Sequence, residues 1–229
     1  ETGKIDGGDG FTGNGDALHN QTSNIIFGNS ITLEGWFNRS GAGTSSGRIL
    51  EFSTLGDAAS HALAVDSDGS LRTWVECSTG RVGSLDDSTQ YSTGTWYHYA
   101  YTYNGSTARL YVNGSQTKTM NQGCSNLDDA NDSIIGAISD QSGQYNLTDH
   151  EYDGYLDEHR VSDVARSADW VEAAFDSESD TLISSWGAEE SALQTPGTYT
   201  SQNLDMQYIY SWGDCTAGCI GGSTAFTTN

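Results

Sequence analysis

The sequence predicts an all-β fold: two antiparallel sheets packed as a sandwich, with one short helix. Three observations predict it. Short apolar runs alternate with clusters of Gly, Asn, Asp and Ser, and the 229 residues contain 28 glycines but one proline. That punctuation marks many short strands. Asp68-Gly69, Asn104-Gly105 and Asn113-Gly114 each separate two alternating stretches, and these dipeptides accept the positive φ of tight hairpin turns. Only residues 168–175 show helical spacing. A chain of this length buries a sizeable core, commonly as one domain.

Taken in order, residues 4–20 read as a glycine-rich entry and a short strand. Ile31 to Phe37 alternates: Ile31, Leu33, Gly35 and Phe37 share one face, Thr32, Glu34 and Trp36 the other. The stretch 40–47 is a Gly/Ser loop. Residues 49–55 and 61–65 are strands, and the second turns at Asp68-Gly69 into 71–77. Residues 96–103 put Tyr97, Tyr99, Tyr101 and Tyr103 on one face and Trp96, His98, Ala100 and Thr102 on the other. Bulk on both faces predicts a central strand. Strands 108–112 and 116–120 follow, then an acidic loop at 127–132 and a small strand at 133–138. The stretch Tyr152 to Val161 is a core strand with acidic residues at its centre. Ser167 is the expected N-cap of the helix, with Asp169 in its first turn. Trp170/Ala174 and Val171/Phe175 pair at i,i+4. Residues 182–186 return as a strand. A boundary falls near 190, which predicts a sandwich over 1–190 and a C-terminal extension over 191–229 with extra strands and a local disulfide loop.

The formal charge is −22, and Lys4 and Lys118 are the only lysines. That balance excludes nucleic acid, whose phosphates demand Lys and Arg, and argues against anionic membranes. A dense, dispersed Asp surface with almost no lysine resembles proteins of extreme halophiles, where salt screens the self-repulsion. Four cysteines allow three connectivities; local spacing favours Cys215–Cys219 and leaves Cys77–Cys124. Zinc is the rival reading, without the usual C-x2-C spacing. Sequons fall at Asn20, Asn38, Asn104, Asn113, Asn131 and Asn146. Disulfides and sequons together predict an extracellular or cell-surface glycoprotein. No membrane span is read in the chain. The start at Glu1 is expected to be a processed end, with any anchor outside this chain.

Several segments carry a family resemblance. Gly10-Phe11-Thr12-Gly13-Asn14-Gly15-Asp16 is similar to an opening aromatic-x-Gly-x-x-Asp segment. Ser30 to Phe37 resembles a Thr-x-Glu-x-Trp strand. Trp96 to Gly105 and Ala108 to Gly114 resemble a Trp-x-His-x-Ala-x-Thr-Tyr hairpin ending in Leu-Tyr-Val-Asn-Gly. Asp153 to Val161, with Arg166 to Trp170 behind it, resembles an Asp-Glu strand followed by a short helix in microbial surface proteins. Together these resemble a laminin-G-like jelly roll of the concanavalin A-like lectin/glucanase superfamily, over residues 4–188. With the acidic composition, the expectation is a haloarchaeal surface protein. The resemblance implies a carbohydrate-binding or adhesion module, whose expected partner is a glycan or a cell-surface protein, and a structural calcium near the first segment and the Asp-Glu strand. Asp16 and Asp157 are the carried-over ligands, completed by carbonyls and water.

The superfamily's glucanases use a Glu-x-Asp-x-x-Glu strand. Here Glu151-Tyr152-Asp153 begins that pattern, but its third position is Leu156, and Glu158 breaks spacing and face parity. The expectation is therefore not an enzyme, with glycoside hydrolysis a remote alternative. Gly43-Thr44-Ser45-Ser46-Gly47 matches a nucleophile-elbow pattern but lies in a loop between strands. Asp66-Ser67-Asp68-Gly69 resembles part of a calcium loop but lacks its end ligands and reads as a turn. Trp74, Tyr145 and Tyr152 are the candidate glycan-stacking aromatics. The alternative function is a structural subunit of an extracellular filament, surface layer or viral appendage, self-assembling through 191–229.

The charge predicts a salt-dependent fold. Between about 0.1 M and about 1 M NaCl the screening length falls from about 10 Å to about 3 Å. The thermal midpoint, followed by near-UV circular dichroism, is expected to rise across that range. A flat or falling midpoint would refute the expectation.

Overall fold

Residues 31–39 form an inner strand that is buried on both faces along most of its length. Its odd-numbered apolar residues enter the space between two sheets, while Thr32, Glu34 and Trp36 face a covering helix. The structure is a computed structural model and describes residues 3–20, 28–41, 47–53, 61–77, 80–121, 123, 127, 132–139, 145–146 and 150–181. These all fall within the unit Glu1–Ile183. The C-terminal extension, Pro196 and the strand expected at 182–186 lie outside the described residues.

The strands are β1 (Asp9–Thr12), β2 (Leu18–Asn20), β3 (Ile31–Arg39), β4 (Gly47–Ser53), β5 (His61–Val65), β6 (Leu71–Cys77), β7 (Gly80–Asp87), β8 (Tyr97–Tyr103), β9 (Thr107–Val112), β10 (Ser115–Asn121), β11 (Asp132–Ile135), β12 (Ile138–Ser139), β13 (Tyr145–Asn146) and β14 (Asp153–Ser162). Among the described residues one helix, α1, spans Ala168–Glu178. One antiparallel sheet has the order β1-β14-β3-β8-β9-β10, the other β2-β11-β4-β5-β6-β7; β12 and β13 pair separately. The core between them takes Ile31, Leu33, Phe37, Tyr99, Tyr101, Tyr103 and Leu110 from the first sheet. Ile49, Phe52, Leu63, Leu71, Val75 and Leu85 come from the second. Period-two alternation sends these side chains inward.

The expected hairpins form, with differences in detail. Asn113 and Gly114 both have positive φ, 48° and 75°, and Val112 pairs directly with Ser115. This is the two-residue turn the dipeptide predicts. The Asp68-Gly69 loop is longer: Asp66 and Ser70 close it through Asp66 N–H to Ser70 O, and Gly69 N–H donates to Asp66 O. Asp68 accepts from the Ser70 amide and hydroxyl, which holds its carboxyl below the usual range. Asp66 pairs with Arg72 at 2.6 Å. The calcium-loop look-alike is thus a hairpin loop. Strand β7 has no counterpart in the sequence reading, because Gly80 to Asp87 offers mainly Val82 and Leu85 as large apolar residues.

Helix α1 starts where expected, with Ser167 Oγ accepting from the Trp170 amide, but runs three residues further than the expected end at 175. It lies on the outer face of the first sheet, where Val171 packs on Ala100 and Tyr111. The chain between β14 and α1 is tied to the same face: Thr32 Oγ1 donates to Val164 O and accepts from the Arg166 amide.

Within β14 the register slips between Asp157 and Arg160, so Glu158 and His159 share the place opposite Gly35. The bulge puts Glu158 at φ 51°. A Cβ on Gly35 would lie 2.4 Å from His159 Nδ1. Glycine is therefore required by close approach, not by its own φ. Gly35→Ala is expected to lower stability by about 1–3 kcal/mol, read from urea midpoints. A loss much below that would show that His159 moves aside freely.

Candidate functional site

The bulge of β14 distributes three neighbouring side chains. Asp157 turns out of the core and accepts three backbone N–H bonds: Lys4 at 2.8 Å, Ile5 at 2.9 Å and Glu158 at 2.9 Å. Its carboxylate fastens the N-terminal segment to the sheet. His159 turns inward and meets the Tyr99 hydroxyl at 2.7 Å. Arg160 turns outward to Glu34 Oε1 at 2.9 Å and to Glu178 on α1.

Glu178 also accepts from Trp36 Nε1 at 2.6 Å. The helix end is thereby pinned to β3 and β14. Phe175 packs beside Trp36 and His98, with centroids 5.8 and 6.0 Å away. Burial pushes His98 down to about 4, so the ring is neutral at pH 7. Its 4.0 Å approach to Glu178 is therefore not an ion pair. Neither ring nitrogen has a hydrogen-bond partner. Burial raises the Glu34 carboxyl, against the lowering effect of Arg160. His98 is a packed histidine, as its place in a central strand predicts.

Of the candidate aromatics, two are taken up by the fold. Trp74 is 5% exposed, with the Arg48 guanidinium over its ring at 4.5 Å. Tyr152 is 2% exposed, meets Phe11 edge-on at 6.3 Å and donates to Tyr155 O. Neither offers a free stacking face, because the pleat and the neighbouring guanidinium occupy them. Tyr145 lies in β13, and its side chain is outside the described residues. The aromatic surface missed by sequence reading is Trp96 with Tyr155. Their rings lie 6.5 Å apart, tilted by 49°, and Tyr155 is 36% exposed. Asn38 sits directly across from Tyr155 in the ladder. Tyr155 shares the outward parity of Asp153 and Asp157, which was the available signal; its pairing with Trp96 is a tertiary fact.

The carboxylates of the glucanase-like pattern do not form a facing pair on a regular strand. Glu151 precedes β14, with one oxygen buried and unpartnered, and Glu158 is exposed in the bulge. Gly43 to Ser46 lie outside the described residues, as do Asp128, Asp129 and Asn131. Cys77 is buried and disulfide-bonded; Cys124, Cys215 and Cys219 lie outside the described residues. Asn20, Asn104 and Asn113 are exposed and Asn38 is half-buried. Asn131 and the Asn146 side chain lie outside.

A sequence-family model, Laminin G 3, described as concanavalin A-like lectin/glucanases superfamily, matches residues 11–172. The chain belongs to this laminin-G family. Solved structures agree on the fold. A SAP-like heptameric pentraxin from Limulus polyphemus is 18% identical, with 72% of this chain and 80% of that one covered and a TM-score of 0.57. The binding domain of Paraclostridial mosquitocidal protein 1 is 15% identical, covering 76% and 44%, with a TM-score of 0.58. A candidate carbohydrate binding protein from Bacteroides ovatus is 19% identical, covering 72% and 45%, with a TM-score of 0.54. The chain spans less than half the length of the last two. No curated protein matches significantly in sequence. At these identities the likeness to solved structures is one of fold alone.

The calcium that laminin-G resemblance implies does not fit the two carried-over carboxylates. Asp16 is bound to Thr12 N and Oγ1, at 2.9 and 2.6 Å. Thr12 pairs with Asp153, four residues from Asp157, so the two acids sit roughly 13 Å apart along the ladder. Asp157 already serves three amides. Among the described residues no three His, Cys, Asp or Glu side chains gather as a metal-binding group. In this laminin-G domain both acids act as backbone caps.

His98 and His159 are both pushed down to about 4 by burial, from about 6.5 in the unfolded chain. Above pH 6.5 neither state takes up a proton at these rings. Between about 6.5 and 4 the unfolded chain binds protons that the folded chain refuses, so stability drops as the pH is lowered. The slope is at most about 1.4 kcal/mol per pH unit for each ring. Glu34, held high, works in the opposite sense, its stabilisation being lost as pH rises through its folded value. Urea midpoints from about pH 7 to about pH 4.5 test this. His98→Asn is expected to flatten the slope by roughly half; an unchanged slope would contradict the assignment.

Proposed function

We propose that this laminin-G domain is a secreted or cell-surface binding module that recognises glycans. The carrying observation is the pair of exposed Tyr155 and half-buried Trp96 on the outer face of the first sheet, with the Asn38 amide across the ladder. A pyranose offers an apolar face of C–H groups and a rim of hydroxyls. The rings match the face, and the phenol, indole N–H and Asn38 amide match the rim. Tyr155 is held by β14 and Trp96 stands directly before β8, so little side-chain entropy is lost on binding. The likeness to pentraxin and toxin binding domains and to a candidate carbohydrate binding protein supports a binding role.

Export is supported by the disulfide at Cys77 and by the exposed sequons. The halophilic setting is supported by the charge of −22. The displaced Glu158 supports a non-catalytic role. No calcium enters the reading. Self-assembly through 191–229 and the pairing of Cys77 with Cys124 stand as proposals from sequence.

A glycan array probed with the full chain at high salt is expected to give saturable binding. Trp96→Ala and Tyr155→Ala are each expected to weaken it roughly tenfold or more, in the range of a lost anchor aromatic. Trp74→Phe, on the other sheet, is the control. Binding to no sugar, or unchanged affinity in both alanine variants, would remove the proposal.

A further inference from the structure

Between the sheets, where β14 runs on beyond the end of β1, lies a cavity of about 340 Å³. It is separate from the Trp96–Tyr155 pair, which faces outward. Leu18 of β2, Leu50 and Phe52 of β4, Ile135 of β11 and Val161 of β14 form most of its wall. Leu18 and Val161, at 50% and 45% exposure, are the two most exposed large apolar residues among those described. Both belong to this one cavity. Isolated exposed apolar residues are ordinary, but Leu18 and Val161 share one opening.

One polar group inside has no use in the fold. His159 also lines the cavity, and its Nε2 is buried without a hydrogen-bond partner. Three features put it there. The bulge rotates it inward, at the cost of a left-handed Glu158. Gly35 leaves the space it crosses. Tyr99 holds its Nδ1 at 2.7 Å. The direction of this bond follows the ring tautomer; with the Tyr99 hydroxyl as donor, the arrangement that leaves fewest unpaired N–H and O–H groups, the ring proton sits on Nε2. Burial keeps the ring neutral, with its pKa near 4. His19, also on the wall, is already engaged by Asp132. Native proteins leave few buried donors unpaired, so an unpaired one at a cavity calls for a partner.

We propose that this cavity binds a small, uncharged, largely apolar molecule through one carbonyl or equivalent acceptor, held by His159 Nε2–H. The volume is at the small end of the range for ligand pockets. Asn20 and Ser133 are the other polar residues on a mostly apolar wall, which disfavours sugars with their many hydroxyls. A net charge of −22 and a neutral donor disfavour anions.

The test uses the full chain and prodan, an environment-sensitive naphthyl ketone, beside 2-dimethylaminonaphthalene, which lacks the carbonyl. Prodan is expected to bind one per chain, saturably, with blue-shifted emission, and roughly five- to tenfold tighter than the carbonyl-free probe, as one hydrogen bond implies. His159→Phe is expected to abolish that preference. Val161→Trp, at an exposed position that tolerates bulk, is expected to fill the mouth and weaken both probes at least tenfold. If His159→Phe does not fold, the two-probe comparison on the native chain and the Val161→Trp result decide. Absence of saturable binding, equal affinity for the two probes, or unchanged binding in folded Val161→Trp would each overturn the proposal.

Discussion

One extra residue in strand β14 sets the direction of everything around it. Opposite Gly35 the strand carries Glu158 and His159 where a regular ladder would carry one residue. Asp157 therefore reaches out to the N-terminal amides, His159 reaches in across Gly35 to Tyr99, and Arg160 reaches out to Glu34 and Glu178. A regular strand in either register would send one of these side chains to the wrong face. The N-terminal segment, the inter-sheet cavity and the seat of helix α1 all depend on that local slip.

The outer face of the first sheet carries the helix on one part and an aromatic pair on another. Part of it lies under α1, where Val171, Phe175 and Glu178 use Ala100, Tyr111, Trp36 and Arg160 as their footing. The half-buried charges there stand because each carboxylate has a cationic or N–H partner; an unpaired charge in that place would be expensive. Nearer the start of β14, Tyr155 and Trp96 emerge on the same face. A rigid sheet presenting a small aromatic surface is suited to recognition, because the scaffold rather than the ligand bears the ordering.

Most of the fold was legible in the sequence, and the reasons are local. The alternation in Ile31 to Phe37, the four tyrosines of β8 and the Asn113-Gly114 turn specify strand, face and register within a few residues. Ser167 announces the helix start, because an N-cap is a property of one turn. Strand β7 was not legible, since its pattern is weak and its place is set by pairing with β6. The candidate site was read less well. Trp74 and Tyr152 carry the right chemistry, but a guanidinium and a core ring cover them. Asp16 and Asp157 carry the right charge, but backbone amides reach them first. Side-chain type shows what a residue can do, not what arrives beside it.

The sequence by itself determined the all-β class, the faces of the central strands, the hairpins and the helix start, because periodicity and turn chemistry act over a few neighbouring residues. It also determined the acidity, a net charge of −22 that disfavours a phosphate backbone. Only the tertiary structure decided that Asp157 is a backbone cap, that Trp96 meets Tyr155 and that His159 faces a cavity. These three depend on a bulge and on contacts between residues far apart in the chain, and no local pattern encodes where two sheets and a displaced strand bring them together.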